Sequence, residues 1–218
     1  MKTFTVDLKK EYGLQGGILD CMTIESPFDW ATPDWKRPAL IVIPGGGYGM
    51  VSKREAEPVA LAFLARGFQA FVLTYTVGGE NGISYPEQLI EVGAAVDYVK
   101  KNADALGVNK DEVFVVGFSA GGHLTGNLAI EYASISQKAG QKLDCRPTAV
   151  GLGYPVISSK HGHVETFDNL LYGYTDEARE ELLKTLNLNE AVSETTPPAF
   201  IWATAADQVV PVDNAIRY

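Results

Sequence analysis

Residues 113–122 carry an apolar run into a serine flanked by glycines: Val113-Phe114-Val115-Val116-Gly117-Phe118-Ser119-Ala120-Gly121-Gly122. Short, continuous, β-branched apolar runs are typical of strands buried on both faces. The residues that follow Ser119 favour a helix over 120–136. A serine at such a strand-to-helix junction sits on a tight turn that holds its hydroxyl clear of the sheet. The stretch therefore predicts a nucleophilic serine at position 119, between glycines that leave room for neighbouring backbone.

The alternation of strand and helix extends along the chain in both directions. It predicts an α/β fold with a mostly parallel central sheet and helices on both faces, because parallel strands need crossover connections. Two alternating segments near the N-terminus favour an antiparallel start. The predicted strands are 4–7, 17–24, 39–43, 68–73, 113–116, 148–154 and 199–203, and the predicted helices lie within 53–66, from Pro86 onward, and over 120–136.

Local signals refine two parts of this pattern. Residues 29–38 are rich in Trp and Pro and predict a loop. Ser52 and Glu55 have the spacing of a capping box at a helix start. Pro58 disfavours a helix interior, so the regular helix is expected to begin close to it.

The chain is expected to form one domain, residues 1–218, with a cap-like insertion at about 156–197. A length of 218 residues is ordinary for a single core. The insertion is polar, breaks the strand–helix rhythm, and carries a predicted helix at 176–186. We expect it to lie over the edge of the sheet where the strands end.

Composition excludes several classes of partner. The net charge is −9 and the basic residues are scattered, which argues against nucleic acid and against an anionic membrane surface. Cys21 and Cys145 form neither a disulfide framework nor metal-ligand spacing. No apolar signal segment begins the chain and no run reaches membrane-spanning length, so a cytoplasmic protein is expected.

A second glycine-rich segment, residues 44–49, follows the strand at 39–43 and reads Pro44-Gly45-Gly46-Gly47-Tyr48-Gly49. Glycines allow backbone N–H groups to face a developing oxyanion without obstruction by side chains. The amides of Gly46, Gly47 and Ala120 are the candidates for such an oxyanion hole. A plain glycine-rich turn is the alternative. A nucleotide loop is disfavoured, because neither Gly-x-Gly-x-x-Gly nor a Gly-Lys-Ser/Thr ending is present.

Asp207 is the candidate carboxylate of a catalytic triad. It comes just after the strand predicted at 199–203 and downstream of Ser119, as the chain order Ser, Asp, His requires. A carboxylate there orients an imidazole and stabilises its cation. A turn aspartate that caps the following helix is the alternative. Asp213 is the nearest rival, although Pro211 and Val212 already begin a helix before it.

Three ordered motifs carry a family resemblance: the 44–49 segment with Ser52, Arg54 and Glu55; Gly117-Phe118-Ser119-Ala120-Gly121-Gly122-His123-Leu124; and Ala206-Asp207-Gln208-Val209-Val210-Pro211. Together they resemble the α/β-hydrolase esterases and lipases, in the branch of acetyl xylan esterases and acetylesterases. The resemblance implies hydrolysis of short-acyl esters, acetylated sugars among them, with no metal and no cofactor. It implies Ser119 as nucleophile, Asp207 as acid, and the Gly46, Gly47 and Ala120 amides as oxyanion hole.

No histidine of the sequence occupies the position that the resemblance implies for the catalytic base, after Asp207. Only 11 residues follow Asp207, whereas a helix, a last strand and a loop with the histidine need about 25–30. His123 lies one helical turn beyond Ser119 and points along its own helix. His161 and His163 lie in the insertion, and either one reaches Ser119 only if the insertion folds over the serine. We expect a truncated version of a longer enzyme, with the last strand and helix missing and the histidine beyond the chain's end.

Function is therefore expected to be that of a serine carboxylesterase. Tyr48 and Phe118 are expected, from position alone, to line the substrate pocket. A peptidase or amidase on the same scaffold, or a non-catalytic remnant of the fold, remain alternatives. The expected small-molecule partner is an ester. The exposed hydrophobic edge at 199–203 predicts either poor solubility or pairing with another chain, such as a second copy of this one.

Overall fold

The computed structural model describes residues 1–25, 35–80 and 82–218. The strands are β1 (Lys2–Asp7), β2 (Ile18–Thr23), β3 (Arg37–Ile43), β4 (Gln69–Thr74), β5 (Val108–Phe118), β6 (Val150–Gly153) and β7 (Ala199–Trp202). The helices are α1 (Leu8–Tyr12), α2 (Glu57–Leu64), α3 (Glu87–Lys101), α4 (Ala103–Leu106), α5 (Ala120–Lys138), α6 (Glu165–Leu170), α7 (Asp176–Leu186) and α8 (Asp213–Arg217). Most of the loop predicted at 29–38 lies outside the described residues, and its last two residues belong to β3.

The strands form one sheet in the order β1-β2-β4-β3-β5-β6-β7. β2 pairs antiparallel with β1 and with β4, and all pairs from β4 to β7 are parallel. The predicted mostly parallel sheet with an antiparallel start is confirmed. β3 and β5 lie at its centre, which explains their continuous apolar sequences.

Alternate residues of β3 contribute to two cores on opposite faces of the sheet. Ile41 and Ile43 join a large core with residues of α1, α3 and α5. Leu40 and Val42 join a smaller core with residues of α2. On α3, Leu89, Val92, Val96 and Val99 are all buried in the large core.

The helix predicted within 53–66 starts differently from the expected capping box. A short 3-10 turn spans Lys53–Glu55, and the α-helix begins at Glu57 with Pro58 in its first turn. The start near Pro58 is confirmed, but the capping box is wrong. Ser52 makes no side-chain cap hydrogen bond. The reciprocal bond is absent too, since the Glu55 carboxylate accepts from Gly45 and Tyr154 while the Ser52 amide donates to the Gly45 carbonyl.

The segment 156–197 contains the predicted helix, α7, and also α6. Its buried apolar residues belong to the large core rather than to a separate one. Val156, Ile157, Phe167, Leu186 and Leu188 are each buried to 1% exposure or less. The segment therefore packs as part of the main core while contributing polar residues to the rim of the cavity described below.

The end of the sheet formed by β7 exposes apolar surface. β7 pairs with β6 on one side and with no strand of the described residues on its other. Phe200 is 72% exposed and Trp202 is 52% exposed. Together with Phe63, Phe114 and Phe118 they line an open apolar groove on the face of the sheet that carries α2. In the part of the chain that the structure describes, no helix combines the length and apolarity needed to cross a membrane.

We expect Phe200→Lys to increase the monomeric fraction of the 218-residue chain in gel filtration. A lysine on an edge strand opposes strand pairing and interrupts the apolar surface. Ile216→Lys is the control, because Ile216 is equally exposed, at 73%, but lies on α8 away from the groove. A wild-type chain that runs as a stable soluble monomer would contradict this expectation.

Candidate active site

A cavity opens where β3, β5, β6 and β7 end at their carboxyl termini. Ligands of open α/β sheets bind in crevices at this edge. The sequence-predicted residues Ser119, Asp207, Gly46 and Gly47 all line this cavity. The structure therefore brings together three motifs that are far apart in the chain.

Ser119 adopts an unusual backbone conformation between β5 and α5. Its φ is +54° and its ψ is −119°, a region that residues other than glycine rarely occupy. Three backbone hydrogen bonds hold it there. Its N–H donates to the Gly153 carbonyl at 3.1 Å, and its carbonyl accepts from the amides of Val156 at 3.1 Å and His123 at 3.0 Å. This strained turn leaves the serine partly exposed at the cavity.

The glycines two positions either side of Ser119 are required by close backbone approaches. A Cβ on Gly117 would lie 2.0 Å from the Gly121 carbonyl oxygen. A Cβ on Gly121 would lie 2.2 Å from the Ile43 carbonyl oxygen and 2.4 Å from that of Pro44. The start of α5 therefore packs directly against the end of β3, and any side chain at these positions would push the two apart.

The glycine-rich segment after β3 forms a tight loop of positive-φ residues. Gly46, Gly47 and Tyr48 have φ values of +129°, +61° and +57°. The Gly46 carbonyl accepts from the amides of Gly49 and Met50, each at 3.1 Å. The Gly47 carbonyl accepts from the Asn169 side chain at 2.9 Å. These bonds use the loop's carbonyl groups. Within the described residues, the N–H groups of Gly46 and Gly47 have no hydrogen-bond acceptor.

The loop and the serine turn touch at Gly45. A Cβ on Gly45 would lie 2.9 Å from the Ser119 Cβ and 2.7 Å from the Phe118 carbonyl oxygen. Ala120, the first residue of α5, is fully buried beside them. The first amides of a helix lack intrahelical partners and carry the positive end of its dipole. The site thus combines a serine, free loop amides and a helix N-terminus.

Asp207 lies in the loop after β7 and faces the same cavity. Its Oδ1 accepts from the amides of Val209 and Val210, each at 2.9 Å. Asp207 therefore shapes its own turn and does not cap α8, whose N-cap residue is Val212. The rival Asp213 is an exposed residue of α8 and does not line the cavity.

His123 is fully buried and bonded through both ring nitrogens. Its Nε2 lies 2.9 Å from the Leu186 carbonyl oxygen, to which it must donate, so Nδ1 accepts from the Tyr48 hydroxyl at 2.9 Å. Burial lowers the pKa of His123 to about 4. With neither nitrogen available and no access to the cavity, His123 ties α5 to the glycine loop and to α7.

The expected pocket residues are corrected by the structure. Tyr48 does not line the cavity, because its side chain is fully buried beneath the loop and points to His123. Phe118 does not line it either. As the last residue of β5, it projects to the α2 face and borders the apolar groove instead.

The histidines of the 156–197 segment differ in position. His163 lines the cavity with Ser119 and Asp207, whereas His161 does not. The Nδ1 of His163 is 2.8 Å from the Thr166 hydroxyl. It is not hydrogen-bonded to Asp207, the partner that a triad histidine needs. Within the described residues, no histidine side chain is hydrogen-bonded to the Ser119 hydroxyl.

Several cavity residues were missed by sequence reasoning. Glu55, Tyr154, Asn169 and Trp202 all line the cavity. Tyr154 and Trp202 lie at the carboxyl ends of β6 and β7, and this position could have predicted that they line the cavity. Nothing in the local sequence distinguishes Asn169 or the inward turn of Glu55. Across the described part of the chain, no group of three or more His, Cys, Asp or Glu is arranged to hold a metal ion.

A family comparison agrees with this geometry. The BD-FAE family model matches residues 30–217. The chain belongs to the BD-FAE family. This is an esterase family with the α/β-hydrolase fold, so the predicted fold and the predicted esterase resemblance are both confirmed.

Curated relatives of this BD-FAE chain include enzymes of xylan breakdown. It is 37% identical over 189 residues to endo-1,4-beta-xylanase B of Butyrivibrio fibrisolvens, covering 85% of this chain and 29% of the relative. It is 32% identical over 188 residues to an acetylxylan esterase of Xylanibacter ruminicola, covering 83% of this chain and 36% of the relative. The chain thus spans about a third of the length of these relatives.

Solved structures show the same fold. The carboxylesterase Cest-2923 of Lactobacillus plantarum has a TM-score of 0.81 at 27% identity, with 100% of this chain and 77% of that chain covered. The acetyl ester-xyloside bifunctional hydrolase of Caldicellulosiruptor lactoaceticus has a TM-score of 0.78 at 31% identity, with 93% and 71% covered. By their names, both of these structures are hydrolases that act on esters.

The buried His123 predicts a pH dependence of stability. Its pKa is about 4 when folded, against 6.5 for an ordinary histidine, so unfolding takes up a proton between these values. The free energy of unfolding therefore falls as pH drops through this window, by about 2–3 kcal/mol between pH 7 and pH 4.5. Urea unfolding at both pH values should show that the free energy of unfolding of His123→Gln decreases less than that of wild type, by about this amount.

His161→Gln is the matched control, since it removes a histidine that is only partly buried. It should keep the wild-type difference between the two pH values. Equal pH dependence in wild type, His123→Gln and His161→Gln would contradict the buried, neutral histidine.

Proposed function

We propose that the protein is a serine carboxylesterase for short-acyl esters, with Ser119 as nucleophile and Asp207 as the triad acid. One observation carries the proposal: Ser119 is held at positive φ in a cavity that it shares with Asp207 and the glycine loop. Strained backbone of this kind clusters at active sites, and a serine on such a turn is the nucleophile elbow of α/β-hydrolases.

The proposed reaction passes through an acyl-enzyme. A base takes the Ser119 proton while Oγ attacks the ester carbonyl, and the oxyanion receives hydrogen bonds from the amides of Gly46 or Gly47 and of Ala120. Collapse of this intermediate releases the alcohol, which takes the proton from the base. Water then repeats the sequence on the acyl group and frees the acid. Each oxyanion donor contributes about 2.7–4 kcal/mol to transition-state stabilisation.

We propose that the base is a histidine outside the 218 residues. Three observations support this: His123 is bonded through both nitrogens, His161 lies away from the cavity, and His163 is bonded to Thr166 rather than to Asp207. Asp207 retains Oδ2, which makes no hydrogen bond among the described residues and is available to orient an imidazole.

The acetyl group of an acetylated sugar is the substrate that the relatives' names favour, since an acetylxylan esterase is among them. Exposed Trp202 and partly exposed Tyr154 are aromatic surfaces at the mouth of the cavity, where a sugar ring could pack. We also propose that the protein is cytoplasmic. We further propose that β7, whose outer side pairs with no strand of the described residues, meets a second copy of the chain.

External imidazole should restore ester hydrolysis to the 218-residue chain. A small base that enters the cavity replaces the missing side chain, so the rate of p-nitrophenyl acetate hydrolysis should rise with imidazole beyond imidazole's own background. Ser119→Ala should abolish this rise. A chain in which Ser119→Ala keeps the wild-type rate would show that Ser119 is not the nucleophile.

The acid is tested by a matched pair of aspartates in the same assay. Asp207→Asn should lower the imidazole-dependent rate by at least about tenfold, because the cationic imidazole loses its counter-charge. Asp213→Asn should leave the rate unchanged, since Asp213 is exposed and lies away from the cavity. His163→Gln should also retain the rate. Loss of activity in His163→Gln alone would identify that histidine as the base.

A substrate panel separates the esterase from a peptidase or amidase on the same scaffold. The proposal expects acetyl esters to be hydrolysed and aminoacyl p-nitroanilides to be left intact. The reverse preference would favour the peptidase. A chain that hydrolyses neither, with or without imidazole, would support a non-catalytic remnant of the fold.

A further inference from the structure

The Glu55 side chain is a buried carboxylate at the edge of the cavity, and the reaction described above gives it no part. It is 5% exposed and ends the 3-10 turn that follows the glycine loop. Its neighbour Glu57 is exposed. Burying a carboxylate costs several kcal/mol unless strong hydrogen bonds replace its hydration. Its partners therefore indicate what this carboxylate does.

Both oxygens of Glu55 accept hydrogen bonds from residues of the site. Oε2 accepts from the Gly45 amide at 2.8 Å, and Oε1 accepts from the Tyr154 hydroxyl at 3.0 Å. The Arg54 guanidinium lies 3.5 Å from Oε1 on the exposed side. Hydrogen bonds to an ionised acceptor are shorter and stronger than neutral ones. The carboxylate thus joins two points beside Ser119, the backbone of Gly45 and the side chain of Tyr154.

These two points flank the strand that carries the serine. Gly45 follows β3 and Tyr154 follows β6, and β3 and β6 are the two neighbours of β5 in the sheet. A Cβ on Gly45 would lie 2.8 Å from Glu55 Oε2 and 2.9 Å from the Ser119 Cβ. The carboxylate therefore reaches across the end of β5, immediately beside the serine turn.

Tyr154 is a donor suited to this arrangement. Burial, and then the nearby Glu55 charge, raise its pKa to about 12, so the hydroxyl keeps its proton at neutral pH. Its ring is fixed between Phe118, 5.7 Å away, and Trp202, 5.5 Å away. The fixed Tyr154 hydroxyl holds Oε1 of Glu55, and Oε2 of the same carboxylate then faces the Gly45 amide of the glycine loop.

We propose that Glu55 is a positioning residue that sets the glycine loop for oxyanion binding by anchoring the Gly45 amide to Tyr154. The anchored amide directly precedes Gly46 and Gly47, whose own amides have no acceptor among the described residues. Without the anchor the loop shifts away from Ser119 and the oxyanion donors lose alignment. This inference rests on the proposed esterase reaction for its kinetic consequence but not for the hydrogen bond itself.

The kinetic test, in the imidazole-dependent assay described above, compares three substitutions at Glu55 with a control at Glu57. Glu55→Leu removes the acceptors and should lower kcat at least about tenfold with KM within about twofold, because the misaligned contact is made only in the transition state. Glu55→Gln should remain within about threefold of wild type, since its amide oxygen accepts from Gly45 and its NH2 donates to the Tyr154 oxygen. Glu55→Asp keeps the charge but is one methylene shorter, so kcat should fall. Glu57→Leu should leave both constants unchanged.

A second measurement does not depend on turnover. Hydrogen exchange of the Gly45 amide, followed by NMR, should be at least about tenfold faster in Glu55→Asp and Glu55→Leu than in wild type or Glu55→Gln, as expected for loss of one charge-assisted hydrogen bond. If wild type hydrolyses no ester even with imidazole, the proposed esterase reaction is wrong. The exchange data then still show whether Glu55 anchors the Gly45 amide. Unchanged Gly45 exchange in Glu55→Asp, or a Glu55→Gln variant as impaired in kcat as Glu55→Leu, would overturn the inference.

Discussion

The site depends on the backbone of Ser119 remaining at a φ of +54°. A non-glycine residue in this region costs about 1–3 kcal/mol and persists only where the surroundings over-determine it. Here the neighbouring strand supplies one hydrogen bond through Gly153, the segment after it supplies another through Val156, and the first turn of α5 supplies a third through His123. The serine is thus held by β6 and α5 together.

The same constraint explains the glycines and the buried polar residues around the serine. The start of α5 approaches the end of β3 so closely that Gly121 has no space for a methyl group. This approach brings the glycine loop to Ser119, and two buried side chains then hold the loop from opposite ends. Glu55 binds the Gly45 amide, and His123 binds the hydroxyl of Tyr48. The polar core of the site is therefore organised around one loop and one turn.

Much of this arrangement could be predicted from sequence because its signals are local. The strand–helix alternation, the Gly-x-Ser-x-Gly turn and the position of Asp207 after a strand each depend on a few adjacent residues. Glu55 and Tyr48 were misassigned for the opposite reason. The spacing from Ser52 to Glu55 fits a capping box, but the carboxylate accepts instead from the Gly45 amide and from the Tyr154 hydroxyl, which is 99 residues away in the chain. The position of Tyr48 beside the glycines predicts a pocket residue. In the structure, the positive φ values of the loop turn its side chain into the core.

A crystal structure of the protein with a small boronic acid would test the central claim most directly, because boron forms a tetrahedral adduct with a serine oxygen that resembles the esterase intermediate. The account predicts a bond from boron to Ser119 Oγ, with one boron oxygen about 2.7–3.1 Å from the amide of Ala120 and from that of Gly46 or Gly47. An adduct on another residue, or a boron oxygen directed away from these amides, would contradict it.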